Sequence, residues 1–206
     1  VGSTNLQIAK NSSNANMLLS THHTTDAYAS VFMFLKSGYT TINPSRPNGA
    51  VADDEFLGAI GWAADDGYTY ASQAARITVE VDGAVAQTKV PGRMKFWTTP
   101  VGVVNPLPRM TILNDGNVGI GVTGPTSLYE KVLHIHEAAG SSSIHLTNNT
   151  TGSTSGDGTD IIAYQDDLYL WNRESAGLIV LGTNATDAMT VSASQDVNIP
   201  NGGLAI

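Results

Sequence analysis

The sequence predicts an all-β chain, and three observations predict it. Short apolar–polar alternations with period two recur along it, as in Ile77-Thr-Val-Glu-Val81, and half-buried strands alternate in this way. Turn-forming clusters separate them: Asp82-Gly83, Asn114-Asp-Gly-Asn117, Gly152-Ser-Thr-Ser-Gly-Asp-Gly158 and Asn201-Gly-Gly203. Helical periodicity is nearly absent, and the only helix-compatible window, Ala71–Ala75, is too short to stand alone.

In chain order, strands are expected at Leu6-Gln-Ile8, Ile77–Val81, Met110-Thr-Ile112, Val118-Gly-Ile120, Leu133-His-Ile135, Met189-Thr-Val191 and Val197-Asn-Ile199. The best hairpin pairs residues 76–82 with 93–99, with Asp82-Gly83 and Pro91-Gly92 supplying the turn residues. Many short strands with frequent turns are the pattern of an all-β architecture.

Composition excludes several function classes. The chain has 206 residues, a net charge of −8 and only 14% charged residues, against a usual share of about 25%. Ser, Thr, Asn and Gly fill more than a third of it, so its surface is built from neutral polar groups. With 41% hydrophobic residues spread throughout, it is not a disordered chain. The ten Lys and Arg are scattered singly and form no basic patch, which argues against nucleic acid and against an anionic membrane surface. No apolar run approaches the roughly 18 residues of a spanning helix, so no membrane insertion is expected. The N-terminus has no signal-peptide pattern. It also lacks an initiator Met, as a processed product or an internal piece does. Cysteine is absent, which removes disulfides, thiolate chemistry and cysteine metal sites.

An internal repeat organises the chain. Leu6-Gln-Ile8, Met17-Leu-Leu19 and Thr24 match Leu133-His-Ile135, Ile144-His-Leu146 and Thr151 at a constant offset of 127. Met110-Thr-Ile112 and Val118-x-Ile120 match Met189-Thr-Val191 and Val197-x-Ile199 at an offset of 79. The expected organisation is a first β repeat unit over 1–121, a linker over 122–132 with Gly124-Pro125, and a shorter second unit over 133–206. The difference between the offsets, 48 residues, places extra sequence in the first unit, within an inserted hairpin region at about 30–108. Two units in series predict an elongated object.

A family resemblance enters through particular residues. Leu57-Gly-Ala-Ile-Gly-Trp62, Asp66-Gly-Tyr68, Ala74-Ala-Arg-Ile77, Val81-Asp-Gly83, Pro91-Gly-Arg-Met-Lys-Phe-Trp-Thr-Thr99, Arg109-Met-Thr-Ile112, Gly116-Asn-Val-Gly-Ile-Gly121, Pro125 and Leu133-His-Ile135 resemble the distal part of bacteriophage tail fibres and related virion fibres. In that family the block commonly precedes an intramolecular chaperone that cleaves itself off after trimerisation. The resemblance covers roughly residues 55–136 directly. It implies a homotrimeric, β-rich fibre on the virion, joined to other tail or capsid proteins and attaching the phage to a host-surface glycan or protein. No enzyme activity, cofactor or metal is expected of this chain, and no binding residue is assigned. The alternatives are a polysaccharide depolymerase and a bacterial surface adhesin.

Gly119 and Gly121 alternate with Val118 and Ile120 along one strand, so the glycines share a face. The expectation is that strands of three chains crowd together there, because glycine permits close backbone approach.

Several motifs imitate chemistry. Gly119-Ile-Gly121-Val-Thr-Gly124 spells G-x-G-x-x-G, but Pro125 follows in place of a helix, and no acid lies about 20 residues on. Asp53-Asp54-Glu55, Asp65-Asp66 and Asp166-Asp167 pair acids, yet neighbours on a strand point to opposite faces and acids in loops form turns. A glycosidase needs two carboxylates about 5–10 Å apart across a sugar. His134 and His136 form an H-x-H on one strand face, but the matching positions of the first unit are Gln7 and Ala9. His22 and His23, being adjacent, are weaker candidates. Trp62, Tyr68, Tyr70, Trp97, Tyr169 and Trp171 have faces on which sugars stack, although such residues in β-proteins are usually core or cross-strand partners.

Overall fold

The computed structural model describes residues 32–36, 38, 49–69, 72–126, 128 and 130–200. The chain forms two compact units, Val1–Val51 and Ala52–Ile206. In the first, the Phe32 and Phe34 rings meet edge to face at 4.9 Å, and the Gly38 N–H donates to the Gly49 carbonyl at 2.9 Å. The expected strand at Leu6–Ile8, with His22, His23 and Tyr70, lies outside the described residues.

The second unit holds twelve strands and, among the described residues, no helix. They are β1 Phe56–Ala64, β2 Ser72–Val81, β3 Gly92–Thr98, β4 Leu107–Ile112, β5 Val118–Ile120, β6 Leu133–Ile135, β7 Ser142–Leu146, β8 Thr159–Tyr164, β9 Asp167–Asn172, β10 Ile179–Thr183, β11 Thr186–Val191 and β12 Val197–Asn198. Sequential strands are neighbours in a six-stranded sheet (β1 to β6) and two three-stranded sheets (β7 to β9 and β10 to β12). All pairs are antiparallel except β5–β6, which pair in parallel across the residues that join them. The expected hairpin is β2–β3, with Arg76 opposite Trp97 and Val81 opposite Gly92.

The register lines up one apolar row across all six strands of the large sheet: Ile60, Ile77, Phe96, Met110, Ile120 and Ile135. A second row, two residues along, holds Val79, Met94, Ile112, Val118 and Leu133. These side chains share one face; on it Ile60 is 51% exposed and Leu133 56%, while Ile77, Phe96 and Ile112 are half-buried. The opposite face carries Thr78, Glu80, Arg93, Lys95, Trp97, Thr111 and Gly119, and there Thr78, Glu80 and Thr111 are fully enclosed. Among the described residues the buried apolar side chains are Val51, Val81, Pro106 and Pro125. The fully buried side chains of the sheet thus lie on its polar face, and the apolar face keeps several side chains exposed, the reverse of an isolated globular sheet.

The two sequence-matched hairpins are alike in detail. Thr111 faces Gly119 and Ile112 faces Val118, while Thr190 faces Asn198 and Val191 faces Val197, 79 residues on. Their turns use the same bonds. Leu113 N–H donates to the Asn117 carbonyl and Gly116 N–H to the Leu113 carbonyl; Ser192 and Gln195 donate to Asp196 and Ser192 in the same way, all at 2.9 Å. Gly116 and Gln195 both have positive φ, 85° and 68°. The likeness extends one strand further back, since β3–β4 and β10–β11 each carry a register shift, after Phe96 and after Leu181.

At Gly119 and Gly121 the close approach seen in one chain comes from that chain's own backbone. A Cβ on Gly119 would stand 2.4 Å from the Val122 carbonyl oxygen and 3.2 Å from Pro125 Cδ, because the chain after β5 folds back over the strand. At Gly121, where φ is +75°, a Cβ would stand 2.1 Å from the His136 carbonyl oxygen. Gly124, by contrast, has open space where a Cβ would go. Gly119→Ala is expected to destabilise the fold by about 1–3 kcal/mol, and Gly124→Ala to leave it unchanged. Thermal melting of the two variants beside the native chain checks this; equal midpoints for both contradict it.

Candidate functional site

The polar face of the large sheet is a charged network built on β2 and β3. Glu80 and Thr78 alternate inward on β2, and Arg93, Lys95 and Trp97 stand opposite on β3. Glu80 accepts from Arg93 Nε at 2.8 Å and from Lys95 Nζ at 2.7 Å. Arg93 also pairs with Asp54 and, at 3.3 Å, with Asp82. Trp97 donates its indole N–H to Thr78 at 2.9 Å, with the Arg76 guanidinium 4.3 Å and the Lys95 ammonium 5.6 Å from its ring centroid. Burial raises the Glu80 carboxyl, but the hydrogen bonds and charges of Lys95 and Arg93 outweigh it and hold the group below the usual range. Arg93 is pushed upward against its own burial by Asp54 and Glu80. Trp97 is thus a structural residue of this network.

The acidic pairs are turn formers. Asp53 accepts from the Gly83 N–H at 2.7 Å and the Asp54 N–H at 3.0 Å. Asp65 accepts from the Gly67 N–H, and Asp66 from the Tyr68 and Thr69 N–H groups and the Ser72 hydroxyl. The Ser72 hydroxyl, followed by those two backbone donors, holds the Asp66 carboxyl low. Asp166 and Asp167 sit at the tight β8–β9 turn, where Tyr164 faces Asp167. The pairs thus lie at three separate places: before β1, between β1 and β2, and between β8 and β9. The G-x-G-x-x-G run opens no helix and instead makes the close packing around Val122 and Pro125. The His134 and His136 rings stand 6.0 Å apart, edge to face, and His134 Nδ1 is buried without a hydrogen-bond partner. Among the described residues no group of three His, Cys, Asp or Glu is placed to hold a metal ion.

A second cluster lies on the β7–β9 sheet. One face is aliphatic, with Ile144, Ile161 and Leu170 in a row. The other aligns His145, Asp160 and Trp171. Asp160, buried, lies 2.6 Å from His145 Nδ1 and accepts from Arg173 Nε at 2.6 Å. The His145 hydrogen bond, followed by that of Arg173 against the effect of burial, lowers the Asp160 carboxyl. The Arg173 guanidinium stands 5.1 Å from the Trp171 ring centroid, and the Tyr169 and Trp171 rings are nearly parallel, 26° apart, with centroids 6.2 Å apart. Trp171 is 54% exposed. It walls a cleft of about 250 Å³ that also includes Glu174, Ser175 and Gln195. The sequence points to Tyr169 and Trp171 through their exposure-prone aromatic faces. It gives no sign of His145, Asp160 and Arg173, whose partnership arises only from strand register.

No protein-family model and no curated protein matches the sequence. The fold does have solved relatives. It aligns with the carboxy-terminal domain of the bacteriophage T5 L-shaped tail fibre, solved with its intramolecular chaperone domain, at a TM-score of 0.51 and 12% identity. The fold is similar to that of a phage tail-fibre domain. The alignment covers 93% of this chain and 64% of that one, so this chain spans a little under two thirds of the solved structure. A separate structure of the T5 tail-fibre carboxy-terminal domain aligns over 89% of this chain and 91% of its own, at a TM-score of 0.38 and 10% identity.

The depressed Glu80 carboxyl makes stability depend on pH. Its folded pKa lies below its unfolded one, so its contribution is complete above the unfolded value of about 4.3 and is lost as pH falls through the folded value. Urea midpoints measured from pH 7 to pH 3 are expected to fall below about pH 4. Glu80→Gln is expected to reduce stability at pH 7 and to flatten that dependence; an unchanged pH profile contradicts the assignment.

Proposed function

We propose that the chain is a structural and adhesive segment of a bacteriophage fibre, working as a homotrimer on the virion surface. The observation that carries this reading is the open apolar face of the six-stranded sheet. Ile60, Met94, Ile120 and Leu133 are each more than a third exposed in one chain, and a sheet face of that character is buried in a stable molecule. Association of identical chains covers it, and the resemblance of residues 55–136 to virion fibres implies a threefold arrangement. The matched hairpins support two serial units, 1–121 and 133–206, joined by 122–132. Other tail or capsid proteins anchor the fibre.

The role is adhesive and not catalytic. The paired acids support this reading: they form turns at three separate places, before β1, between β1 and β2 and between β8 and β9. Contact with the host, through a cell-surface glycan or protein, is assigned to the Tyr169–Trp171 face of β9. Its aliphatic opposite face suits contact between chains, which leaves the aromatic and polar face outward.

Sedimentation velocity of the native chain is expected to give a species of three times 21.6 kDa. Ile120→Asp is expected to shift it to single chains, because a carboxylate forced into the apolar row is costly by several kcal/mol. Ala86→Asp, on an exposed loop, should have no effect. A native chain that sediments as a monomer contradicts the proposal. Trp171→Ala is expected to keep the trimer while abolishing the protein's competition with phage for adsorption to host cells; undiminished competition removes β9 from the adhesive face.

A further inference from the structure

One arginine of the large sheet is left without an acceptor. Among the described residues Arg93 pairs with Asp54, Glu80 and Asp82, Arg173 pairs with Asp160, and Arg109 donates from Nε to Thr98. Arg76 has no such partner among them, and its Nε is buried without a hydrogen bond. It stands on the polar face of β2 between Gly61 of β1, which brings no side chain, and Trp97 of β3. The Trp97 ring, fixed by its indole bond to Thr78, has its centroid 4.3 Å from the guanidinium and steadies it. Arg76 also lines a cavity of about 460 Å³, within the span of about 300–1,000 Å³ usual for small-ligand sites. Ser72 and Gln73 of β2 line the same cavity, as do Val104, Asn105 and Pro106 from the segment before β4. That segment is tied to β2 through Thr99, whose N–H donates to the Ala74 carbonyl at 2.9 Å and whose hydroxyl donates to the Gln73 carbonyl at 2.6 Å. The side-chain amides of Gln73 and Asn105, both exposed residues, offer donors and acceptors.

We infer that this cavity binds a sugar that carries one carboxylate, a uronic-acid ring, with Arg76 as the receptor of its charge. A guanidinium presents paired N–H donors that match the two oxygens of a carboxylate. Arg76 is the one cation of the cavity wall, which balances a monoanion and leaves a phosphate dianion half neutralised. Asp66, bonded to Ser72, spends its oxygens on that hydroxyl and on the Tyr68 and Thr69 N–H groups, so it leaves the arginine unpaired. The rest of the wall suits a sugar ring. The Ser72 hydroxyl and the two amides match ring hydroxyls, while Val104 and Pro106 offer an apolar contact to ring C–H groups. Because Trp97 already holds the guanidinium, less side-chain freedom is lost when a ligand arrives. The site lies on the six-stranded sheet and does not depend on the adhesive role of Tyr169 and Trp171 on β9.

The full native chain is titrated calorimetrically with sodium glucuronate, and separately with glucose, glutamate and inorganic phosphate. The expected result is saturable binding of glucuronate, with each of the other three weaker by about 10-fold or more, since each lacks either the carboxylate or the ring. Arg76→Gln is expected to weaken glucuronate binding about 10–100-fold, as loss of a hydrogen bond to a charged group does. Arg76→Lys restores only part of it, because the charge returns without the fork. Asn105→Asp places a carboxylate of the chain itself beside Arg76 and is expected to abolish glucuronate binding while the thermal midpoint does not fall. Asn105 is exposed, so this variant tests the site even where Arg76→Gln fails to fold. The inference is overturned if the native chain does not bind glucuronate, or if glucose, glutamate or phosphate binds as tightly. It is equally overturned if Asn105→Asp binds glucuronate as the native chain does. No host cells enter this measurement, so its result and that of the adsorption competition stand apart.

Discussion

The structure depends on which face of the large sheet a single chain can close. Five charged or polar side chains, Glu80, Arg93, Lys95, Trp97 and Thr78, bond to one another on one face, where Thr111 Oγ1 and Arg76 Nε are buried without a hydrogen-bond partner. A carboxylate as enclosed as Glu80 persists only because two cations reach it; without them its desolvation is uncompensated. The apolar rows from Ile60 to Ile135 lie on the opposite face and have no such internal solution. Hydrogen bonding and charge thus cross-link the polar face of the sheet within the chain. The low charge of the sequence reflects the same division: charges are concentrated where they cross-link strands, and neutral Ser, Thr and Asn cover the remainder.

The Gly-Asn-Val-Gly-Ile-Gly run carries the chain from the antiparallel part of this sheet to its parallel edge. Asn117 is buried, its carbonyl and side chain both engaged: it accepts from Leu113 N–H in the turn and from Val132 N–H across the crossover. Gly119 lets Val122 and Pro125 lie against β5, and Gly121 lets the backbone at His136 pass close by. Each small or amide-bearing residue therefore serves the parallel pairing of β5 with β6, which a short antiparallel turn could not produce. In the second hairpin Asn198 and Pro200 replace both glycines, and no strand lies beyond among the described residues.

Much of the strand pattern is legible in the sequence because alternation marks a strand with two unlike faces. Ile77–Val81 and Met110–Ile112 alternate clearly and lie in β2 and β4. Phe56–Ala64 and Asp167–Asn172 do not: the first mixes small residues with apolar ones, and the second is apolar on both faces, so period two does not show. The turn role of the paired acids is readable from Asp chemistry alone. The cluster of His145, Asp160 and Arg173 is not, since 15 and 13 residues separate its members and only the pairing of β7, β8 and β9 aligns them. The reason for Gly119 is hidden for a related cause. Sequence shows that a glycine allows close approach, and only coordinates show that Val122 of the same chain makes it.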